Sequence, residues 1–217
     1  MSTDQQALAP GYPVEQEPED KKILDRFFSG ERDAIGDLAD RYAPRLFSFG
    51  LRMCGNSEDA QDMVQDAFLN IVKYLKGFRG ETKLRNWIYR LASSACIRRR
   101  RGKNQPEREL SLEALRPGHE EDGSTPDIPD WSTSPVESLV NEELRERLAR
   151  AVERLPGKYR LVFNLRDLEG FSTAEVAEML KLTPQAVKTR LHRARAFLRN
   201  ELAEYYQGDG APKGERP

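Results

Sequence analysis

The sequence has few of the residue types from which chemical sites are usually built. It contains two cysteines, Cys54 and Cys96, and two histidines, and neither cysteine has a second cysteine or a histidine beside it. This scarcity excludes a disulfide framework and a zinc site, and it favours free thiols in a reducing compartment. Glycine-rich nucleotide motifs and a Ser-His-Asp arrangement are also missing. We therefore expect no cofactor, no metal, no small-molecule substrate and no catalysis.

Long apolar runs are absent as well. No stretch approaches the ~20 residues that a membrane-spanning helix needs, and the N-terminus lacks the basic start and apolar core of a signal peptide. We expect no membrane insertion and a cytoplasmic location. Apolar residues make up 38% and charged residues 33% of the 217 residues, which is polar for one compact core. Two small lobes with polar connections fit this composition better.

An excess of charge of one sign is also missing, because 35 Lys and Arg residues face 36 Asp and Glu residues. Nucleic-acid-binding proteins usually carry a basic excess. Here the basic residues are concentrated locally, and residues 98–103 form one basic block. This block either binds phosphates or is a solvated helix end, and both can hold at once.

Helical periodicity dominates the chain, and no strand pattern is evident. The predicted fold class is all-α, with two small helical domains joined by a flexible acidic linker and a helix-turn-helix at the end of the second domain. The boundaries are a disordered tail over 1–20, a first domain over 21–103, a linker over 104–133, a second domain over 134–206 and a second tail over 207–217.

Local signals predict several helix ends and faces. Pro44 is expected to kink the second helix, and Ser57 to cap the third. Ser134 is expected to open the second domain as a helix cap. The predicted buried stripe of the third helix consists of Ala60, Val64, Phe68, Ile71 and Leu75.

Residues 172–199 predict two short helices joined by a tight turn. Ser172 and Glu175 form a capping box at the start of the first helix. Lys181 occupies a turn position that favours a left-handed backbone. Thr183 caps the second helix, and Pro184 stands at its first position, where a missing N–H costs nothing.

The second of these helices has two distinct faces. Its buried stripe is Val187, Leu191, Ala194 and Leu198, and Gln185, Thr189 and His192 point the opposite way. The cations Lys188, Arg193 and Arg199 flank that outward line. A narrow polar face edged with cations suits a helix in a DNA major groove, although a solvated surface helix has the same pattern.

Three strings together resemble one family. They are residues 59–68, residues 78–90 with Phe78-Arg79-Gly80 and Trp87, and residues 186–195. In this order and at these separations they resemble a bacterial sigma factor of the extracytoplasmic-function (ECF) type, over roughly residues 22–103 and 135–202. The resemblance implies a protein that binds core RNA polymerase, recognises two elements of promoter DNA and promotes DNA opening. An anti-sigma factor partner is usual in the family, and the linker is expected to thread a basic channel of the polymerase.

The resemblance also distributes the candidate site residues. The expected contacts with core polymerase are Asp62, Gln65, Asp66, Leu69 and Asn70. The expected contacts with the downstream promoter element are Phe78, Arg79, Lys83, Asn86, Tyr89 and Arg90. The expected contacts with the upstream element are Gln185, Lys188, Thr189, His192 and Arg193. Phe78 and Tyr89 are the preferred base-stacking groups, because Trp87 falls in the buried stripe of its helix. The loop that follows Phe78 is expected to offer a pocket for an extruded base.

Two other functions remain open at this point. A two-domain helix-turn-helix regulator that acts without replacing the sigma subunit would bind promoters alone, and it leaves the Asp62–Phe68 string unexplained. A helical interaction protein with no DNA role would need no basic reading face, which residues 185–199 contradict.

Overall fold

The structure, a computed structural model, describes residues 12–102 and 142–207. In these two ranges the chain forms two separate helical units and no strands, so the predicted all-α class is confirmed. The predicted linker, the Ser134 cap and most of both predicted tails lie outside the described residues. No helix within these ranges is long and apolar enough to cross a membrane.

The first lobe contains four helices within residues 12–102. They are α1 (Pro18–Phe28), α2 (Ala34–Cys54), α3 (Ser57–Leu75) and α4 (Leu84–Gly102). α1 packs on α2, and α2, α3 and α4 pack on one another around an apolar core. Its fully buried members include Leu38, Leu46, Phe49, Met63, Ile71, Leu84 and Ile88.

α2 continues across Pro44 as one helix and ends at Gly55, whose left-handed backbone (φ 79°) a glycine adopts without strain. The kink expected at Pro44 stays a prediction. One predicted cap differs in detail. α3 is capped by Asn56 and not by Ser57, because the Asn56 side-chain oxygen accepts the Asp59 backbone N–H at 2.8 Å. The cap therefore lies one residue earlier than predicted.

The buried face of α3 is also rotated from the predicted stripe. Met63 and Ala67 are buried, whereas Val64 and Phe68 are half-buried. Ala60, Ile71 and Leu75 are buried as predicted. α3 packs against both α2 and α4, so residues that face either helix are buried. The buried face is therefore rotated from a stripe that assumes a single neighbouring helix.

The predicted disordered tail is wrong for residues 12–20. α1 begins at Pro18, and Asp20 is buried, where it accepts hydrogen bonds from the Tyr42 hydroxyl at 2.7 Å and the Arg41 Nε at 2.8 Å. Residues 12–17, called the strap below, lie against the loop of residues 78–83. These contacts join residues far apart in sequence, so local composition gave no sign of them.

The second lobe ends in the predicted helix pair. It contains α5 (Glu142–Arg154), α6 (Gly157–Phe163), a π-helical turn (Asn164–Leu168), α7 (Thr173–Leu180) and α8 (Pro184–Gln207). The Ser172–Glu175 capping box is present, and Lys181 is left-handed at φ 54° and ψ 47°. The Thr183 hydroxyl accepts the Ala186 N–H at 3.1 Å. The local signals of the helix-turn-helix are therefore confirmed.

Candidate nucleic-acid and protein interfaces

The two faces of α8 are arranged as its periodicity predicts. Val187 and Ala194 are fully buried, and Leu191 and Leu198 are nearly so. On the opposite side Gln185 and His192 are exposed, and Thr189 is half-buried. α5, α6 and α7 all pack on α8, so its outward face is held by a fixed core. This rigid presentation is what a helix needs in order to read base edges.

The cations of α8 fall into two groups. Lys188 and Arg199 are exposed and flank the outward line. Arg193 is half-buried and donates to the Tyr159 hydroxyl at 3.3 Å, while Arg195 donates to both oxygens of Asp167 at 2.8 and 2.7 Å. Arg193 and Arg195 therefore bind α8 to the rest of the lobe. Arg193, which is among the expected contacts with the upstream element, has part of its guanidinium committed within the protein.

The outward face of α3 carries the predicted polymerase-contact residues. Gln65 and Asp66 are exposed, and Leu69 is 66% exposed. Asn70 is half-buried, and its side-chain amide donates to the Asp66 carbonyl at 2.6 Å. The structure adds two apolar residues that sequence reasoning missed, Val72 and Tyr74. Val72 stands three residues after Leu69, so helical spacing could have found it. Apolar side chains beside carboxylates are typical of a protein interface.

A shallow groove of about 560 Å³ lies beside this face, between α2 and α3. It is lined by Ala43, Pro44, Phe47, Gln61, Asp62, Val64 and Gln65. The groove extends the candidate protein interface from α3 onto α2, which the sequence did not indicate.

Asp62 is less free than its predicted role suggests. Arg99, near the end of α4, forms ion pairs with Asp62 and with Asp59, the latter at 3.1 Å. Burial by itself would lower the pKa of Arg99, but hydrogen bonds and charge from Asp59 and Asp62 raise it above its ordinary value. Asp62 thus joins the exposed α3 face to the basic end of α4.

The loop of residues 78–83 exposes its cations and buries its aromatic ring. Arg79 and Lys83 are exposed, and Arg90 on α4 is half-buried. Phe78 is 6% exposed and packs on Trp87, with ring centroids 5.4 Å apart. Asn86 is also buried.

Tyr89 is fully buried, with its ring 5.5 Å from that of Phe49. The preference for Phe78 and Tyr89 as base-stacking groups is therefore at odds with the structure, in which both rings belong to the core. Trp87 is buried as expected. α4 is enclosed on more than one face, since it packs against both α2 and α3. A prediction that buries only one face of α4 therefore underestimates how many of its side chains are buried.

The described ranges contain no group of three or more His, Cys, Asp and Glu side chains placed to hold a metal ion. The candidate sites are thus surfaces made of polar, charged and apolar side chains.

Comparison with known proteins identifies both lobes. The profile of Sigma-70 region 2 matches residues 38–105, and that of Sigma-70, region 4 matches residues 145–198. These ranges contain the outward face of α3 and the outward face of α8, respectively.

Similar proteins cover most of the chain. The ECF RNA polymerase sigma factor SigW of Bacillus subtilis is 32% identical over 184 residues, covering 85% of this chain and 97% of SigW. The ECF RNA polymerase sigma-E factor of Escherichia coli K12 is 29% identical over 186 residues, covering 84% and 94%. The sigma factor RpoE of Bartonella quintana, solved with the anti-sigma factor NepR, has the same fold, with a TM-score of 0.55, 17% identity and coverage of 79% and 98%. The chain therefore belongs to the ECF RNA polymerase sigma factors.

Proposed function

We propose that the two lobes of this sigma factor divide promoter recognition between them. The protein binds core RNA polymerase and promoter DNA, as members of its family do. In the proposal the first lobe holds the polymerase through α3 and acts on the downstream element, and the second lobe reads the upstream element through α8. We further propose that the chain itself catalyses no reaction, since phosphodiester chemistry belongs to the polymerase. It acts in the cytoplasm, where a bacterial polymerase meets the chromosome.

The observation that carries this proposal is the face of α8 opposite its buried stripe. Gln185 and His192 are exposed near the first turns of a helix whose other side is fixed in the core. Side chains at such positions reach base edges in a major groove, and Lys188 beside them is placed for a phosphate. Arg193 contributes less than the sequence suggested, because Tyr159 binds it.

The polymerase interface in this proposal is an apolar patch with an acidic edge. Leu69 and Val72 supply the exposed apolar part, and Gln65 and Asp66 supply the polar edge. Such a combination fits a partner surface with an apolar pocket surrounded by cations. The groove at Pro44 and Phe47 is continuous with the patch through Gln65 and offers further contact area.

The downstream element is assigned to the cations of the 78–83 loop. Arg79 and Lys83 are exposed on either side of Gly80 and are free to meet the DNA backbone or a base. The proposal gives Phe78 no stacking role, because its ring packs on Trp87 and is buried at the start of the loop.

A regulatory partner is part of the proposal. RpoE of Bartonella quintana was solved in complex with an anti-sigma factor, and its fold is shared by this chain. We propose that an anti-sigma factor covers the same exposed α3 face, since its apolar residues would otherwise remain in water.

The test is run-off transcription with purified core polymerase, the full-length chain and genomic templates. Discrete transcripts that require both proteins are expected. Promoter binding by the chain alone, with no effect on transcription start sites, would instead indicate a helix-turn-helix regulator that does not replace the sigma subunit.

A further inference from the structure

The strap, residues 12–17, is hydrogen-bonded to the middle of the 78–83 loop. The Val14 N–H donates to the Gly80 carbonyl at 3.1 Å, and the Gln16 side-chain amide donates to the Thr82 carbonyl at 3.1 Å. Gly80 is left-handed, at φ 69°, and a Cβ at this position would lie 2.7 Å from the Tyr12 ring. The strap thus passes so closely over Gly80 that a side chain at this position would clash with Tyr12.

Gln16 is the central residue of this contact. It is 7% exposed, and its side-chain oxygen accepts the Leu84 N–H at 2.7 Å, at the first residue of α4. Its side-chain nitrogen donates to the Val14 carbonyl at 2.8 Å as well as to Thr82. The Gln16 side-chain amide therefore hydrogen-bonds to the first residue of α4, to the strap and to the loop. Its partner on α4 lies 68 residues away in the sequence.

The strap is itself anchored at both ends. The Tyr12 hydroxyl donates to Asp25 on α1 at 3.3 Å, and burial raises the pKa of Tyr12, so the hydroxyl stays protonated. At the other end Glu17 pairs with Arg41 of α2 at 2.9 Å. These anchors connect the loop to α1 and α2 through the strap.

We infer that Gln16 is a positioning residue for promoter recognition, which holds the 78–83 loop in the shape that presents Arg79 and Lys83 to the downstream element. This inference rests on the proposed function of that loop. Phe78 and Leu84 are buried and fix the two ends of the loop, but Glu81 is exposed and Thr82 half-buried. The middle of the loop has little apolar packing of its own and is held by the hydrogen bonds from the strap to Gly80 and Thr82.

The experiment measures base preference and not only activity, because a general loss of folded protein lowers all transcripts alike. A promoter found by run-off transcription is randomised separately at its upstream and downstream elements, and the transcripts made by each holoenzyme are sequenced. Gln16→Ala should reduce the preference for the native downstream bases about fivefold. This is the change in an equilibrium constant that corresponds to the loss of one buried hydrogen bond, here the bond to Thr82. Preference at the upstream element and affinity for core polymerase should not change.

Two further variants sharpen the result. Gln16→Met keeps most of the side-chain volume and removes the amide, so it should lose preference as Gln16→Ala does; it also serves if the alanine variant folds poorly. Glu15→Ala, at the exposed neighbouring position of the strap, should behave as the wild type. Full downstream preference in Gln16→Met would overturn the inference, because packing alone would then position the loop.

A variant of the loop itself separates this inference from the proposed function. Arg79→Ala with Lys83→Ala should flatten the downstream preference directly. If the loop variant loses preference and Gln16→Ala does not, the positioning role is wrong and the loop assignment stands. If the loop variant also keeps its preference for the native downstream bases, the loop does not contact the downstream element. The positioning role of Gln16 is then wrong as well.

Discussion

At the scale of single residues, the buried carboxylate of Asp20 is held by partners distant in sequence. Asp20 accepts hydrogen bonds from Tyr42 and Arg41 across the contact between α1 and α2. Burial, followed by the hydrogen bond to the Asp20 carboxylate, raises the pKa of the Tyr42 hydroxyl. The neutral phenol is therefore part of the folded state.

This raised pKa gives stability a defined pH dependence. Above pH about 10 the unfolded chain releases the Tyr42 proton while the folded chain keeps it, so stability falls as pH rises. The slope contributed by this one group is about 1.4 kcal/mol per pH unit. Tyr42→Phe should cost about 1 kcal/mol at pH 8 and lack this slope. Urea unfolding of both proteins from pH 8 to 11 checks it, and parallel stability curves would contradict it.

Lys181 adopts a backbone conformation that is energetically unfavourable for a residue with a Cβ. Its left-handed backbone, between α7 and α8, is a conformation that disfavours a side chain by roughly 1 kcal/mol. Lys181→Gly should relieve this cost and slow hydrogen exchange of the α7 and α8 amides up to about fivefold in the full-length chain. Lys181→Ala keeps the Cβ and serves as the matched control, with no slowing expected. Equal exchange in the glycine and lysine proteins would show that the turn is unstrained.

At the scale of elements, α8 combines a core stripe and the face proposed to read the upstream element in one helix. In this proposal Gln185, near the N-terminus of α8, contacts an adenine, and Thr189 contacts a thymine methyl group. Gln185→Ala should change the preferred base at one or two upstream positions and cost about 1–3 kcal/mol on the native site. Lys188→Ala should weaken all upstream sequences alike and reduce the salt dependence. A randomised upstream library distinguishes the two, and exchanged phenotypes would mean that the face is rotated from the proposed one.

α3 carries the second candidate interface, which is the face of the first lobe proposed to contact core polymerase. Reversing charge at Asp62 is a poor test of polymerase binding, because Asp62 also pairs with Arg99. Asp66→Arg together with Leu69→Ala changes exposed side chains only, and it should weaken association with core polymerase by more than ~100-fold. The matched control is Glu19→Arg, a charge reversal at an exposed position of α1. An unchanged affinity of the double variant in a titration would remove this face from the interface.

At the scale of the whole molecule, the chain combines a net charge of −1 with strongly charged local surfaces. The α3 face of the first lobe is acidic and apolar, while the exposed edge of α8 is basic. Overall charge is therefore a poor guide to the partners of this protein. The distribution of charge along the helices is the informative quantity.

Several features that depend on neighbouring residues were predicted correctly. The caps at Ser172 and Thr183 and the α8 stripe at Val187 follow from spacing over a few residues and were confirmed, whereas the α3 cap lies at Asn56 and not at Ser57. The strap was missed because Gln16 meets its partners 66 and 68 residues away, and no periodic signal marks such a contact. The burial of Tyr89 was missed because an aromatic ring suits both a core and a base stack.

The shared ion pairs of Arg99 have an evolutionary consequence. Asp59 and Asp62 both bind the same guanidinium, so the loss of either carboxylate leaves Arg99 with a charged partner. Asp59 is the less exposed of the two, and Asp62 lies at the edge of the candidate protein interface. While Asp59 is retained, position 62 can diverge with a changing partner surface without releasing the end of α4. Substitutions at these two positions are therefore expected to be epistatic, with the second loss costing more than the first.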